Sequence, residues 1–162
     1  EAAESIWTAV LEAGREFDIK PCGLGARNTL RLEARMTLYG HEIDASTTPF
    51  EAGLDWMVKL EKGDFLGRDA LVRQKRNGVQ RRLAGFEMRE RGIAREGYLV
   101  RVEGEPAGFV TTGSPSPYLK KNIGLCYLPA GRAAVGQRIQ IDIRNQSVAA
   151  EVAPTPFYSR QK

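Results

Sequence analysis

Arg31, Glu33 and Tyr39 lie close together in the chain and combine a cation, a carboxylate and an aromatic hydroxyl. A carboxylate such as Glu33 can accept two parallel hydrogen bonds from a flat N–C–N donor array. Arginine offers such an array, and so does the edge of a pterin or a guanine. Spacing alone leaves two readings open: an ion pair with Arg27 or Arg31, or a ligand's donor edge. No other short pattern announces catalysis. The sequence has no P-loop, no GxSxG and no HExxH. Gly23-Leu24-Gly25 lacks the third glycine and the preceding strand of a dinucleotide fingerprint, and reads as a turn into a helix. Cys22 and Cys126 are the only cysteines and His41 the only histidine, with no CxxC among them. That inventory argues against a zinc site, and the two thiols are expected to be buried and reduced.

The elements that must hold these side chains follow from periodicity. Residues 3–14 place Ile6, Trp7, Val10 and Leu11 at helical spacing before Gly14. Residues 26–34 favour helix by propensity, and Leu38-Tyr39-Gly40 breaks the pattern. Thr48-Pro49 resembles a helix start with Glu51 near its positive end. Residues 56–60 read as a strand, and residues 68–76 as a helix stopped by Asn77-Gly78. Beyond lie short β-like runs at 82–88, 98–102, 107–112, 123–127, 138–143 and 147–152. Glu103-Gly104-Glu105 and Asn145-Gln146 suit tight turns between them. The predicted fold is α+β. Residues 1–77 form the tail of an α+β domain plus a connector, and residues 78–162 a small antiparallel β-barrel domain.

Composition narrows the function classes. Of the 162 residues 42% are hydrophobic and 27% charged, enough to build a core and too apolar for disorder. No apolar run approaches a membrane span, which predicts an aqueous compartment and no membrane partner. The net charge of +4 comes from scattered clusters such as Arg73–Arg76 and Lys120-Lys121. Apart from Tyr118 near Lys120, these lack the interleaved aromatics of a nucleic-acid groove and read as a solvated face, so no nucleic-acid partner is expected. Residue 1 is Glu and the helical pattern starts at once, which suggests a cut or processed chain.

Longer segments carry a resemblance. Gly23 to Ala34 with Leu38-Tyr39-Gly40 is similar to the signature of the glycine cleavage T-protein family. So are Thr48-Pro49-Phe50-Glu51-Ala52-Gly53-Leu54, Trp56, Val58-Lys59-Leu60 and Asp64-Phe65-Leu66-Gly67-Arg68. Thr112-Gly113-Ser114-Pro115-Ser116-Pro117, Lys121-Asn122-Ile123 and Tyr127-Leu128-Pro129 resemble the family's C-terminal domain.

The resemblance implies a cloverleaf of three domains around a folate site, in a bacterial-type cytoplasmic enzyme. It implies transfer of the one-carbon unit of an aminomethyl group, carried on the lipoyl arm of H-protein, to tetrahydrofolate with release of ammonia. By the same resemblance Glu33 holds the pterin edge, and Lys62 stands nearest the basic residue that meets the folate tail. Phe157, Tyr158 and Arg160 fall in the region that closes over the folate. Tyr39 matches a recurrent tyrosine to which no role is assigned. Two positions depart from the pattern: Asn28 stands where the family has Asp, and Arg35 where it has Gly. The family's catalytic acid lies in a portion N-terminal to the matched segments, so no catalytic residue is assigned and the chain alone is expected to be inactive. If residues 1–77 are part of a larger domain, some of their apolar residues should be uncovered. Relatives with the same cloverleaf include folate-dependent demethylases, sarcosine and dimethylglycine dehydrogenases, and a non-catalytic folate-binding branch. The last carries a cysteine motif in the β region, and Cys126 in a barrel strand fits it poorly.

Overall fold

The computed structural model describes residues 2–160. Three helices come first, α1 (Ala2–Ala13), α2 (Leu24–Glu33) and α3 (Arg68–Asn77). Six strands follow: β1 (Arg81–Met88), β2 (Leu99–Val102), β3 (Glu105–Ser116), β4 (Lys121–Pro129), β5 (Arg138–Ile143) and β6 (Gln146–Ala153). All six predicted β runs are strands, most of them extended by a residue or more at their ends. They close into a barrel in the order β1-β4-β3-β2-β5-β6, every pairing antiparallel. No helix among the described residues is long and apolar enough to cross a membrane.

Alternation explains the barrel interior. Phe86, Val100, Val102, Val110, Ile139, Ile141, Ala150 and Val152 point inward with Cys126 and Leu128. β4 departs from simple alternation, because Ile123 to Leu128 are all buried. Its even positions face the barrel, while Ile123, Leu125 and Tyr127 form a second cluster with Leu32 of α2 and Leu83 of β1. A strand covered on both faces reads as a continuous apolar run.

Two hairpins turn on residues in the left-handed region. Glu103 and Gly104 have φ of 55° and 84°, and Arg144 and Asn145 have φ of 49° and 65°. These are the positive values that two-residue hairpin turns need. The second turn therefore sits one residue before the predicted Asn145-Gln146.

Two sequence expectations fail in the connector. Residues 56–60 form no strand; Asp55–Met57 is a single 3₁₀ turn. Trp56 and Met57 are exposed, and the N–H groups of Met57 and Val58 bond locally to Leu54 and Asp55 carbonyls. β propensity without a partner strand yields no strand. At Thr48 the capping exchange does occur, with Thr48 N donating to Glu51 Oε2 at 2.8 Å and Glu51 N to Thr48 Oγ1 at 3.3 Å. The chain nevertheless leaves helical geometry at Gly53, whose φ is 67°.

α1 carries its apolar stripe outward: none of its residues is buried, and Ile6, Trp7 and Val10 are exposed. The expectation for the thiols also needs correction. Cys126 is buried, whereas Cys22 is exposed in the connector before α2. Burial pushes the Cys126 thiol up from 9.0 to about 12. A thiol-specific reagent at about pH 8 should therefore label one cysteine in the native chain and two after denaturation, as counted by mass.

The close approach of β3 to β4 depends on Gly108. A Cβ at that position would overlap the Tyr127 carbonyl oxygen, a backbone atom that cannot swing aside. Gly108→Ala should cost about 3 kcal/mol, read as a lowered denaturation midpoint.

Candidate functional site

α2 ends in a Schellman motif: Met36 N–H bonds to Arg31 O at 2.7 Å and Arg35 N–H to Leu32 O at 3.0 Å. The motif requires a left-handed residue at Arg35, whose φ is 57°. Glycine suits that conformation best, and this is the position where the resemblance leads one to expect it. Arg35 spans the motif to its surroundings instead. Its guanidinium lies against Gly53 and reaches the Ala52 and Leu83 carbonyls at 3.5 and 3.4 Å, tying the helix end to the connector and to β1. Partial burial lowers its pKa.

Arg31, Leu32 and Glu33, at the end of α2, are all buried. Successive helical side chains project about 100° apart, so this end is enclosed on most of its circumference. Leu32 enters the apolar cluster against β1 and β4.

Arg31 enters a buried polar network. Its guanidinium meets Glu42 Oε2 at 2.6 Å and donates to Thr112 Oγ1 at 2.9 Å, to Asn28 Oδ1 at 3.0 Å and to Met36 O at 3.2 Å. Thr112 in turn donates to Glu42 Oε1 at 2.6 Å, and Leu38 N–H to Glu42 Oε2 at 2.9 Å. Glu42 is only 1% exposed. Asn28, noted as a departure, is thus a working member of this network.

Glu33 takes the other direction and is 4% exposed. Its Oε1 accepts the Ser116 hydroxyl at the end of β3, and its main-chain oxygen accepts the Tyr158 N–H at 3.0 Å. Ser116 Oγ accepts from Leu119 N–H at 3.0 Å. No cation pairs with Glu33 among the described residues, so neither Arg27 nor Arg31 is its partner. Tyr158 and Tyr118 meet edge to face with ring centroids 4.9 Å apart. The Tyr118 hydroxyl, then burial and the Glu33 charge, raise the Tyr158 phenol above its ordinary value.

The geometry brings Glu33 and Tyr158 together. Phe157 closes the same seam, packed on the Leu32 cluster and over Gly85. Lys62 lies elsewhere, its ammonium 4.9 Å from the Phe65 ring centre, beside a hollow lined by Pro49, Leu54 and Val58. Arg160 is exposed near the C-terminus. Tyr39, grouped with Arg31 and Glu33 in sequence, is 74% exposed and takes no part in their networks. Glu42, Thr112 and Ser116 escaped sequence reasoning as site residues. Their partners lie 11 to 83 positions away, beyond the reach of any periodicity.

The GCVT N-terminal domain model matches residues 1–62, and the glycine cleavage T-protein C-terminal barrel domain model residues 81–159. An aminomethyltransferase of Acidobacterium capsulatum is 54% identical over 162 residues, covering 99% of this chain and 43% of that protein. One from Geobacillus thermodenitrificans is 53% identical, covering 100% of this chain and 45% of that protein. The crystal structure of glycine cleavage system aminomethyltransferase T from Bartonella henselae superposes with a TM-score of 0.86 at 30% identity, covering 97% of this chain and 44% of that one. The chain thus spans less than half the length of the relatives it matches. Helices and a turn-rich connector, docked on a closed antiparallel barrel, define an α+β protein with a carboxylate buried in the seam. The chain belongs to the glycine cleavage T-protein (aminomethyltransferase) family, of which it carries the C-terminal portion.

The network dictates how the seam responds to mutation. Removing Glu42 alone strands a buried guanidinium, so Glu42→Leu should destabilise by about 3–5 kcal/mol. Combining it with Arg31→Met removes both charges, and the double variant should denature at a higher midpoint than Glu42→Leu alone.

Proposed function

We propose that the whole protein is the aminomethyltransferase of the glycine cleavage system, with tetrahydrofolate as one-carbon acceptor and lipoyl-bearing H-protein as donor. The supporting observation is Glu33: a buried carboxylate with one hydroxyl donor, no cationic partner among the described residues, and acceptor capacity left over. A pterin edge with adjacent N–H donors matches that capacity. Tyr158 and Phe157 supply the aromatic and apolar margin of the same seam, and the names of the matched relatives agree with the reading.

In this reading the residues of this chain bind and orient. Glu33 fixes the rotation of the pterin, so that the folate's reacting nitrogen is presented to the lipoyl-bound carbon. The carbon leaves its lipoyl sulfur as ammonia departs and becomes bonded to the folate. An acid outside the matched segments handles the proton traffic. Lys62 is proposed as a point charge for the folate's glutamate tail, without the fork geometry of arginine, and Arg160 as part of the C-terminal stretch that closes over the folate. We place the division between the folate-binding portion and the barrel domain at residues 77 and 78, where α3 ends and the two family models leave a gap. A cytoplasmic location of bacterial type goes with the same reading.

The test is a calorimetric titration of 5-formyltetrahydrofolate into the protein at the full length of its relatives. Wild type should bind, and Glu33→Ala should weaken binding by at least about tenfold, the worth of a charge-assisted hydrogen bond. Absence of binding to the wild type would overturn the folate reading.

A further inference from the structure

Ser116 belongs to the barrel, yet its hydroxyl is spent on a carboxylate of α2. A serine hydroxyl ordinarily rotates and can either donate or accept. Here that freedom is gone. Leu119 N–H, at 3.0 Å, occupies the oxygen as a donor and leaves the single hydroxyl proton directed at Glu33 Oε1. The side chain is 2% exposed, so bulk water offers no competing partner. The backbone is held as well: Ser116 stands between Pro115 and Pro117, and the second proline keeps it extended, paired with Lys121 across the β3–β4 turn.

A fixed donor on Oε1 has a chemical consequence. It takes one lone pair of Oε1 and leaves the carboxylate's other lone pairs as acceptors. It also sets the plane in which the remaining lone pairs lie. We infer that Ser116 is a positioning residue which locks Glu33 as an acceptor and thereby selects ligands presenting two adjacent N–H donors. The inference rests on the folate reading and names the ligand feature that the site discriminates. A ligand lacking one of the two donors leaves lone pairs of a buried carboxylate unmet, and with Ser116 in place the carboxylate cannot turn to adapt.

The experiment compares two ligands on the protein at the full length of its relatives: 5-formyltetrahydrofolate, and its 2-desamino-2-methyl counterpart, which lacks the exocyclic donor. Calorimetry is run on wild type, Ser116→Ala, Ser116→Cys, Glu33→Gln and the double variant Glu33→Gln with Ser116→Ala. Both Ser116 variants should weaken the first ligand about tenfold and shift the second by less than about twofold, since its edge does not use the aligned carboxylate fully. The double variant should bind the first ligand no more weakly than Glu33→Gln alone, because Ser116 acts through Glu33. Ser116→Cys replaces the hydroxyl by a slightly larger, weakly donating thiol without emptying the site, and carries the test if Ser116→Ala fails to fold. Equal losses for both ligands, or an additive double variant, would assign Ser116 a merely structural role and overturn the inference. Undiminished binding by Glu33→Gln would remove Glu33 as the pterin anchor and overturn the inference with it, whereas the folate reading itself falls only if the wild type fails to bind.

Discussion

A charge sealed from water must be matched completely, and that requirement governs how the helical part of this chain meets its barrel. Arg31 and Glu42 both belong to the first half, but neither is satisfied there. Thr112 of β3 completes them, accepting from the guanidinium and donating to the carboxylate. Undocking α2 would take Thr112 from both charges, and a displacement that left either one buried and unmatched would cost several kcal/mol. The pose of α2 is therefore fixed by charge matching as well as by packing. Glu33 follows two residues later along the same helix and inherits its place from that anchor.

The barrel accommodates this by presenting two apolar faces on one side. β4 fills the barrel with Cys126 and Leu128 while Ile123, Leu125 and Tyr127 receive Leu32. Tyr127 links the layers further: its ring lies under the Arg81 guanidinium at 4.6 Å, and its hydroxyl donates to the Glu42 carbonyl at 2.8 Å. Arg81 then reaches Glu51 in the connector at 3.1 Å. The connector has no ladder of its own and is held by such side-chain ties, of which Arg35 is another.

Glu33 contrasts with Glu42 in one decisive respect. Both carboxylates are buried, but Glu42 has its cation and its donors, whereas Glu33 has, among the described residues, a serine hydroxyl alone. A buried carboxylate with no cation beside it among the described residues is a costly exception. It lies where α2, the β3–β4 turn and the C-terminal segment converge, so three stretches far apart in sequence define its surroundings. Such a seam is where recognition is built when no single element suffices.

The sequence by itself determined the six strands and the spans of α1, α2 and α3, and its grammar changes near residue 78, whereas the helix start read at Thr48 stays a turn. The strands and helices follow from periodicity, glycine and proline placement and turn chemistry, which act over a few residues. It also exposed Glu33 as a carboxylate worth weighing, though the spacing left its partner open between an arginine and a ligand. Tertiary structure alone decided that Arg31 belongs to Glu42, that Ser116 holds Glu33, that Tyr158 closes on it, and that Tyr39 faces outward. It also decided against a strand at residues 56–60, because a strand exists only when another chain segment offers its hydrogen-bonding edge. Local chemistry specifies elements. Which buried charges find partners depends on segments up to 83 positions apart, and only the folded chain brings them together.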